Sequence, residues 1–167
     1  QNHTTMKPIN RVAIFCASSP GVDQVYFEMA ETLALELAAN NIAVNYGGGG
    51  VGLMGTIADT MLEKGGKITG YIPVFMKQME WAHPEISEMV LVRDMHERKY
   101  RILKDVDAVI ALPGGVGTMD ELMEVITLKQ LGQFVKPIVI INTNHFYDPL
   151  FSLLNKKVLG INYFFCN

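Results

Sequence analysis

Residues 42–55, IAVNYGGGGVGLMG, run from a short β-branched stretch through four consecutive glycines into an apolar, helix-forming one. A strand, a turn stripped of side chains and then a helix is the pattern of a βα unit in a parallel sheet. Glycine lets the main chain reach positive φ and lets a ligand approach without a Cβ in the way. The helix that opens there offers free N–H groups and the positive end of its dipole to an anion.

The same alternation repeats on either side. Residues 11–17 (RVAIFCA) read as a buried strand. Residues 23–40 read as a helix, with Val25, Met29, Leu33 and Leu37 spaced four apart and Ala30, Ala34 and Ala38 beside them. Residues 42–46 form the second expected strand and 51–64 a helix. A third strand over 67–72 is stopped by Pro73, and a fourth covers 88–93 (EMVLVR). A charged helix over 95–104, a strand over 106–112 (VDAVIAL), a helix over 118–131 and a strand over 137–142 (PIVIIN) follow. A last helix starts after Asp148-Pro149. Residues 75–84 (FMKQMEWAHP) fit no period and are expected to form a loop or short helix over the sheet edge.

Near-continuous apolar strands alternating with helices imply a parallel sheet covered on both faces. Right-handed crossovers make this an α/β fold, a single-domain, Rossmann-like doubly wound parallel sheet with helices on both faces. A length of 167 residues fits one domain. The residues are 49% hydrophobic and 19% charged, a globular balance. The net charge of -3 gives no basic excess for nucleic acid. A nucleotide-sized anion is still compatible, because a local phosphate site needs no basic protein. Glycines and charges interrupt every apolar run, so no membrane span is expected. Residues 1–5 are polar and lack the apolar core of a signal peptide. The two cysteines, Cys16 and Cys166, suit a reducing compartment, and a cytoplasmic location is expected.

Ligands of such a sheet bind beyond the carboxyl ends of its strands. Three turns there are unusual. In the first, Gly50, Gly52 and Gly55 match the dinucleotide pattern G-x-G-x-x-G. The next strand ends Tyr71-Ile72-Pro73, with no acid for a ribose hydroxyl, and no Gly-Lys-Ser/Thr follows for a Walker loop. A tight structural turn is the plain alternative, though Gly47 to Gly50 exceed what a turn needs. The second turn is Pro113-Gly114-Gly115-Val116-Gly117-Thr118, again at a helix start. The third is Cys16-Ala17-Ser18-Ser19-Pro20-Gly21, whose hydroxyls suit a small-molecule contact and a helix cap equally.

Charged candidates stand beside these turns. Arg98 can grip a phosphate through two parallel N–H bonds and Lys99 can add a point charge; a solvated helix face is the alternative for both. Thr118-x-x-Glu121 matches a capping box, which gives Glu121 a structural role. Its functional role would be a carboxylate that orients water or stabilises positive charge at a sugar carbon. The four histidines, His3, His83, His96 and His145, show no metal spacing, and no Cys-x-x-Cys, His-Glu-x-x-His or Gly-x-Ser-x-Gly occurs. Neither a metal nor an organic cofactor is expected.

Taken together these motifs resemble the LOG family, often labelled lysine decarboxylase-like. Its P-G-G-x-G-T-x-x-E stretch stands here as Pro113, Gly114, Gly115, Val116, Gly117, Thr118, Met119, Asp120 and Glu121. Its M-H-x-R-K stands as Met95, His96, Glu97, Arg98 and Lys99, its G-G-G-x-x-G-L-M-G lies within Gly47 to Gly55, and its F-C-x-S-S stands as Phe15 to Ser19. Residues 130–132, 136–137 and 142–150 are similar to the family's later region. Asp120 departs from a usual glutamate, the tryptophan common before Gln130 is absent, and the tail differs most from the family's further strand and helix.

Residues 1–10 are expected to form a flexible N-terminal segment and residues 11–167 a single Rossmann-like nucleotide-binding catalytic domain. The resemblance implies a homodimer that cleaves the N-glycosidic bond of N6-substituted adenosine monophosphates, or AMP, to base plus ribose 5-phosphate. Arg98 and Glu121 would be the catalytic pair. The substrate-binding residues would be Ser18, Gly48, Gly49, Met95, Arg98, Lys99, Pro113, Gly114, Gly115, Gly117, Thr118 and Glu121. The partner is a small nucleoside monophosphate. The alternative is a carrier or sensor that binds a nucleotide without catalysis. The decarboxylase label finds no recognisable pyridoxal-phosphate lysine site.

Overall fold

The computed structural model describes residues 7–79, 81–86 and 88–155. Strands β1 (Arg11–Phe15), β2 (Ala43–Tyr46), β3 (Ile68–Pro73), β4 (Met89–Val92), β5 (Ala108–Ala111) and β6 (Ile138–Ile140) form one sheet. Their order is β4-β3-β2-β1-β5-β6, and every pairing is parallel. The helices are α1 (Gln24–Ala39), α2 (Gly52–Glu63), α3 (Val74–Gln78), α4 (Met95–Leu103), α5 (Val116–Gln130) and α6 (Asp148–Leu154). The order reverses between β1 and β5, so the crevice beyond their carboxyl ends is the ligand position of a doubly wound sheet.

Each face of the sheet has its own core, which is why the strands read as unbroken apolar runs. Along β1, Val12 and Ile14 turn to the face covered by α1 and α2, where Ala30, Ala34, Leu37, Leu53, Ile57 and Met61 pack. Ala13 and Phe15 turn to the other face, against Ile102 of α4, Leu122, Val125 and Ile126 of α5 and Leu154 of α6. In β5, Ala108 and Ile110 join the first core and Val109 and Ala111 the second. Burying one such Ile, Leu or Val side chain contributes about 1.5–3 kcal/mol.

Two local expectations change. Helix α5 begins at Val116 with Gly115 as its N-cap, so Thr118 and Glu121 lie inside the helix and form no capping box. Both side chains are buried and line the cleft instead of capping the helix. Residues 75–84 do contain a short helix, α3, but the chain after it lies on the glycine turn rather than over the sheet edge. Ala82 bridges Gly49 in antiparallel fashion, the His83 N–H donates to the Gly48 carbonyl at 2.8 Å, and the Gly50 N–H donates to the Trp81 carbonyl at 3.3 Å. Among the described residues no helix is long and apolar enough to cross a membrane.

Candidate active site

The crevice holds a cleft of about 750 Å³. Its walls are the turns after β1, β2 and β5, with Arg98 from α4 and Glu121 from α5. The Ala17 N–H donates to the Pro113 carbonyl at 3.0 Å, which ties the first and last of these turns together across the switch point.

The two glycine-rich turns have different structural roles. In 47–49 each carbonyl is engaged: Gly47 accepts from Arg98 Nη2 at 2.5 Å, Gly48 from the His83 N–H at 2.8 Å and Gly49 from Tyr46 Oη at 2.9 Å. The start of α2 is closed by main chain. The Met54 N–H donates to the Ala17 carbonyl at 3.1 Å. Gly52 has φ +66, and a Cβ there would meet the Ser19 carbonyl oxygen at 2.6 Å. Glycines here let backbones pack on one another.

The entrance of α5 is open instead. A Cβ on Gly115 or Gly117 would meet nothing within 4 Å. The amides of Val116, Gly117 and Thr118 precede the first intrahelical bond, from the Met119 N–H to the Gly115 carbonyl at 3.0 Å. Such a helix start presents N–H donors and a positive dipole end to an anion. Of the two turns, the second therefore has the geometry of a phosphate seat.

Helix α4 delivers Arg98. Asp94 caps it by accepting from the Glu97 N–H at 2.8 Å, which fixes where the helix begins. Arg98 is only 7% exposed. Its Nε donates to the Tyr71 carbonyl at 3.0 Å and its Nη2 to Gly47 at 2.5 Å, so the guanidinium is braced by the ends of β3 and β2. Five N–H donors are available on an arginine, so the remaining ones can serve a ligand. Burial pulls its pKa below the ordinary value, while Glu121 and Tyr46 pull back. The group remains a cation at neutral pH.

Glu121 is 6% exposed and faces the same cleft. Burial pushes its pKa up to about 7, against the pull of Arg98 and Lys99 and with the help of Asp120 and Glu124. A carboxyl poised near neutrality in a cleft is suited to proton handling or to charge stabilisation. Cys16 lies in the same wall, and its buried thiol is held well above its usual range. Such a thiol is inert rather than nucleophilic.

Of the expected site residues, the cleft gathers Ser18, Gly49, Met95, Arg98, Pro113, Gly114, Gly115, Gly117, Thr118 and Glu121. Gly48 and Lys99 lie elsewhere. A Cβ on Gly48, where φ is +79, would meet Met89 Sδ at 2.9 Å and Ile72 Cβ at 3.3 Å. Lys99 Nζ sits 3.1 Å from Asp120 Oδ2 and 3.6 Å from Glu124 Oε1, joining α4 to α5. Tyr26, Met76, Trp81 and Phe146 also line the cleft. Tyr26 and Phe146 meet edge-to-face at 5.8 Å. Nothing in local spacing pointed to these four, because each comes from a different element. Among the described residues no group of three His, Cys, Asp or Glu side chains is placed to hold a metal ion.

A family model described as possible lysine decarboxylase matches residues 54–161. A protein of Rhodococcoides fascians named cytokinin riboside 5′-monophosphate phosphoribohydrolase is 43% identical over 144 residues, covering 86% of this chain and 73% of that one. The chain belongs to the LOG family. A probable cytokinin riboside 5′-monophosphate phosphoribohydrolase of Oryza sativa subsp. japonica is 44% identical over 146 residues, or 87% of this chain. The chain spans 66% of that rice protein's length, just under two thirds. Among solved structures, the Moco carrier protein of Chlamydomonas reinhardtii shares the fold, with a TM-score of 0.69 at 18% identity over 89% of this chain and 85% of that one. Among the described residues no lysine lines the cleft, and a pyridoxal-phosphate enzyme needs one for its Schiff base.

Proposed function

We propose that this LOG-family chain hydrolyses the N-glycosidic bond of nucleoside 5′-monophosphates, releasing the free base and ribose 5-phosphate. One observation carries the reading: a buried carboxyl and a buried guanidinium, Glu121 and Arg98, face one cleft beside the open amides that start α5. The relatives' names supply the substrate class, cytokinin riboside 5′-monophosphates, and AMP itself belongs to the same chemistry.

The 5′-phosphate sits on the amides of residues 116–118, with the Thr118 hydroxyl as a further donor and Ser18 and Gly49 in the lining of the same cleft. The ribose then lies toward Glu121 and Arg98. As the bond from the anomeric carbon to the base nitrogen lengthens, positive charge grows on the sugar, as in other glycoside cleavages. The Glu121 carboxylate stabilises that charge and orients the attacking water. Water's oxygen bonds to the anomeric carbon, the base leaves with the bonding electron pair, and water's proton ends on the base. The free N–H groups of Arg98 hold the sugar or the departing base. Preorganised charge and positioning supply most of the rate.

The same reading carries a homodimer in the cytoplasm, acting on a small nucleotide rather than on nucleic acid or a membrane. A carrier or sensor that only binds the nucleotide is the competing reading; it gives a buried carboxyl near neutral pKa no task. Glu121→Gln separates the two. The variant should bind AMP like the parent, read by calorimetry, and lose base release by about 10²-fold or more. Base release at the parental rate in the variant would overturn the role of Glu121.

A further inference from the structure

We propose that His83 and Asp59 form a latch that positions Trp81 as a wall of the cleft. It rests on the nucleotide-site reading above only for the choice of AMP as ligand. The sequence around Trp81 fits no regular element, yet the residue lines the cleft with 52% of its surface exposed. Its own N–H reaches back to the Met76 carbonyl of α3 at 3.3 Å, a single local bond that leaves the rest of its placement to more distant partners.

The remaining hydrogen bonds show which partners these are. Main-chain bonds join 81–83 to the glycine turn: Gly50 N–H to Trp81 O, His83 N–H to Gly48 O, and the bridge between Gly49 and Ala82. Two main-chain bonds at 2.8 and 3.3 Å form a short ladder, marginal on its own. The side chain of His83 adds the anchor. The residue is 6% exposed, and its Nε2 lies 2.6 Å from Asp59 Oδ1 on α2. Its Nδ1 accepts from the Glu85 N–H at 3.1 Å. A main-chain N–H must donate, so Nδ1 is the unprotonated nitrogen and Nε2 carries the proton toward the carboxylate. Both ring nitrogens are thus committed, one to α2 and one to the chain two residues on. The ring fixes the strand that bears Trp81 against the helix that follows the glycine turn.

Neither residue reaches the reacting groups, so both are positioning residues. Asp59 is the place to test them, because its side chain is 71% exposed and its loss opens no cavity. Trp81 is the sole tryptophan of the sequence, so its fluorescence reports the strap directly. In Asp59→Ala the Trp81 emission should move to the red and acrylamide quenching should rise. KM for AMP should increase about fivefold or more, with kcat within twofold of the parent, the expected size for a lost anchoring hydrogen bond. Asp59→Asn keeps an acceptor for Nε2 and should restore emission, quenching and KM. An Asp59→Ala protein whose Trp81 emission and quenching match the parent's would overturn the latch, even if it melts at a lower temperature. The fluorescence readings stand whether or not the parent releases base, so a failure of the latch and a failure of the hydrolase reading are separately visible.

Discussion

In the proposed reaction Glu121 carries the chemistry, and its titration gives two tests. Its folded pKa is near 7 against an ordinary value of 4.5, so the folded protein disfavours its charge. Below about pH 4.5 the carboxyl is neutral in both folded and unfolded chains and costs nothing. As pH rises from there to 7 the unfolded chain ionises first, and folding loses up to about 3 kcal/mol. Glu121→Gln should therefore melt above the parent at pH 8, with the gap closing toward pH 5; calorimetry at both values checks it. In the proposed reaction the carboxylate is the working form, so kcat/KM, which reports the free enzyme, should climb through an apparent pKa near 7, and a profile that falls through 7 would make the residue an acid instead. That Arg98 and Glu121 face one cleft was legible from sequence, because both stand inside dense motifs beside the glycine turns. Their burial was not, since a helix face of M-H-E-R-K reads equally well as solvated. Lys99 shows the limit: one residue from Arg98, it points to the carboxylates of α5.

At the scale of elements, the two glycine turns look alike in sequence and differ in use. The difference lies in who occupies the space beside them, which only the fold decides. At Gly52 a carbonyl stands where a Cβ would go and φ is positive, so Gly52→Ala should destabilise the fold by more than about 1 kcal/mol, read from denaturant midpoints. At Gly115, which lines the cleft, the space for a Cβ is open, so Gly115→Ala should leave the melting temperature nearly unchanged and, if the proposed phosphate seat holds, raise KM by crowding it. Equal effects of the two substitutions on stability would contradict the division of roles. The ion pairs of Lys99 with Asp120 and Glu124 couple α4 to α5. Lys99→Met removes a cation that holds the Glu121 pKa down and leaves two carboxylates uncompensated. The midpoint of the kcat/KM profile should move to higher pH, and Lys99→Arg should bring it back.

The whole molecule was legible where its rules are periodic. Apolar strands buried on both faces announced a parallel sheet, and the strand order put the crevice between β1 and β5. The stretch around Trp81 was misplaced because its partners are main-chain groups of a distant turn and one side chain of α2. No local period encodes such contacts. Helix α5 was set two residues late for a related reason: Thr118 and Glu121 match a cap, yet Gly115 begins the helix and turns both inward. The fold is thus a frame that brings one open helix start, one acid and one guanidinium to the same place. The most direct test is chromatography of AMP and of isopentenyladenosine monophosphate after incubation with the purified chain. Free adenine or free isopentenyladenine should appear together with equimolar ribose 5-phosphate, and the Glu121→Gln protein should release neither. Both nucleotides recovered intact, from a protein that binds them, would contradict hydrolysis and leave a binding protein.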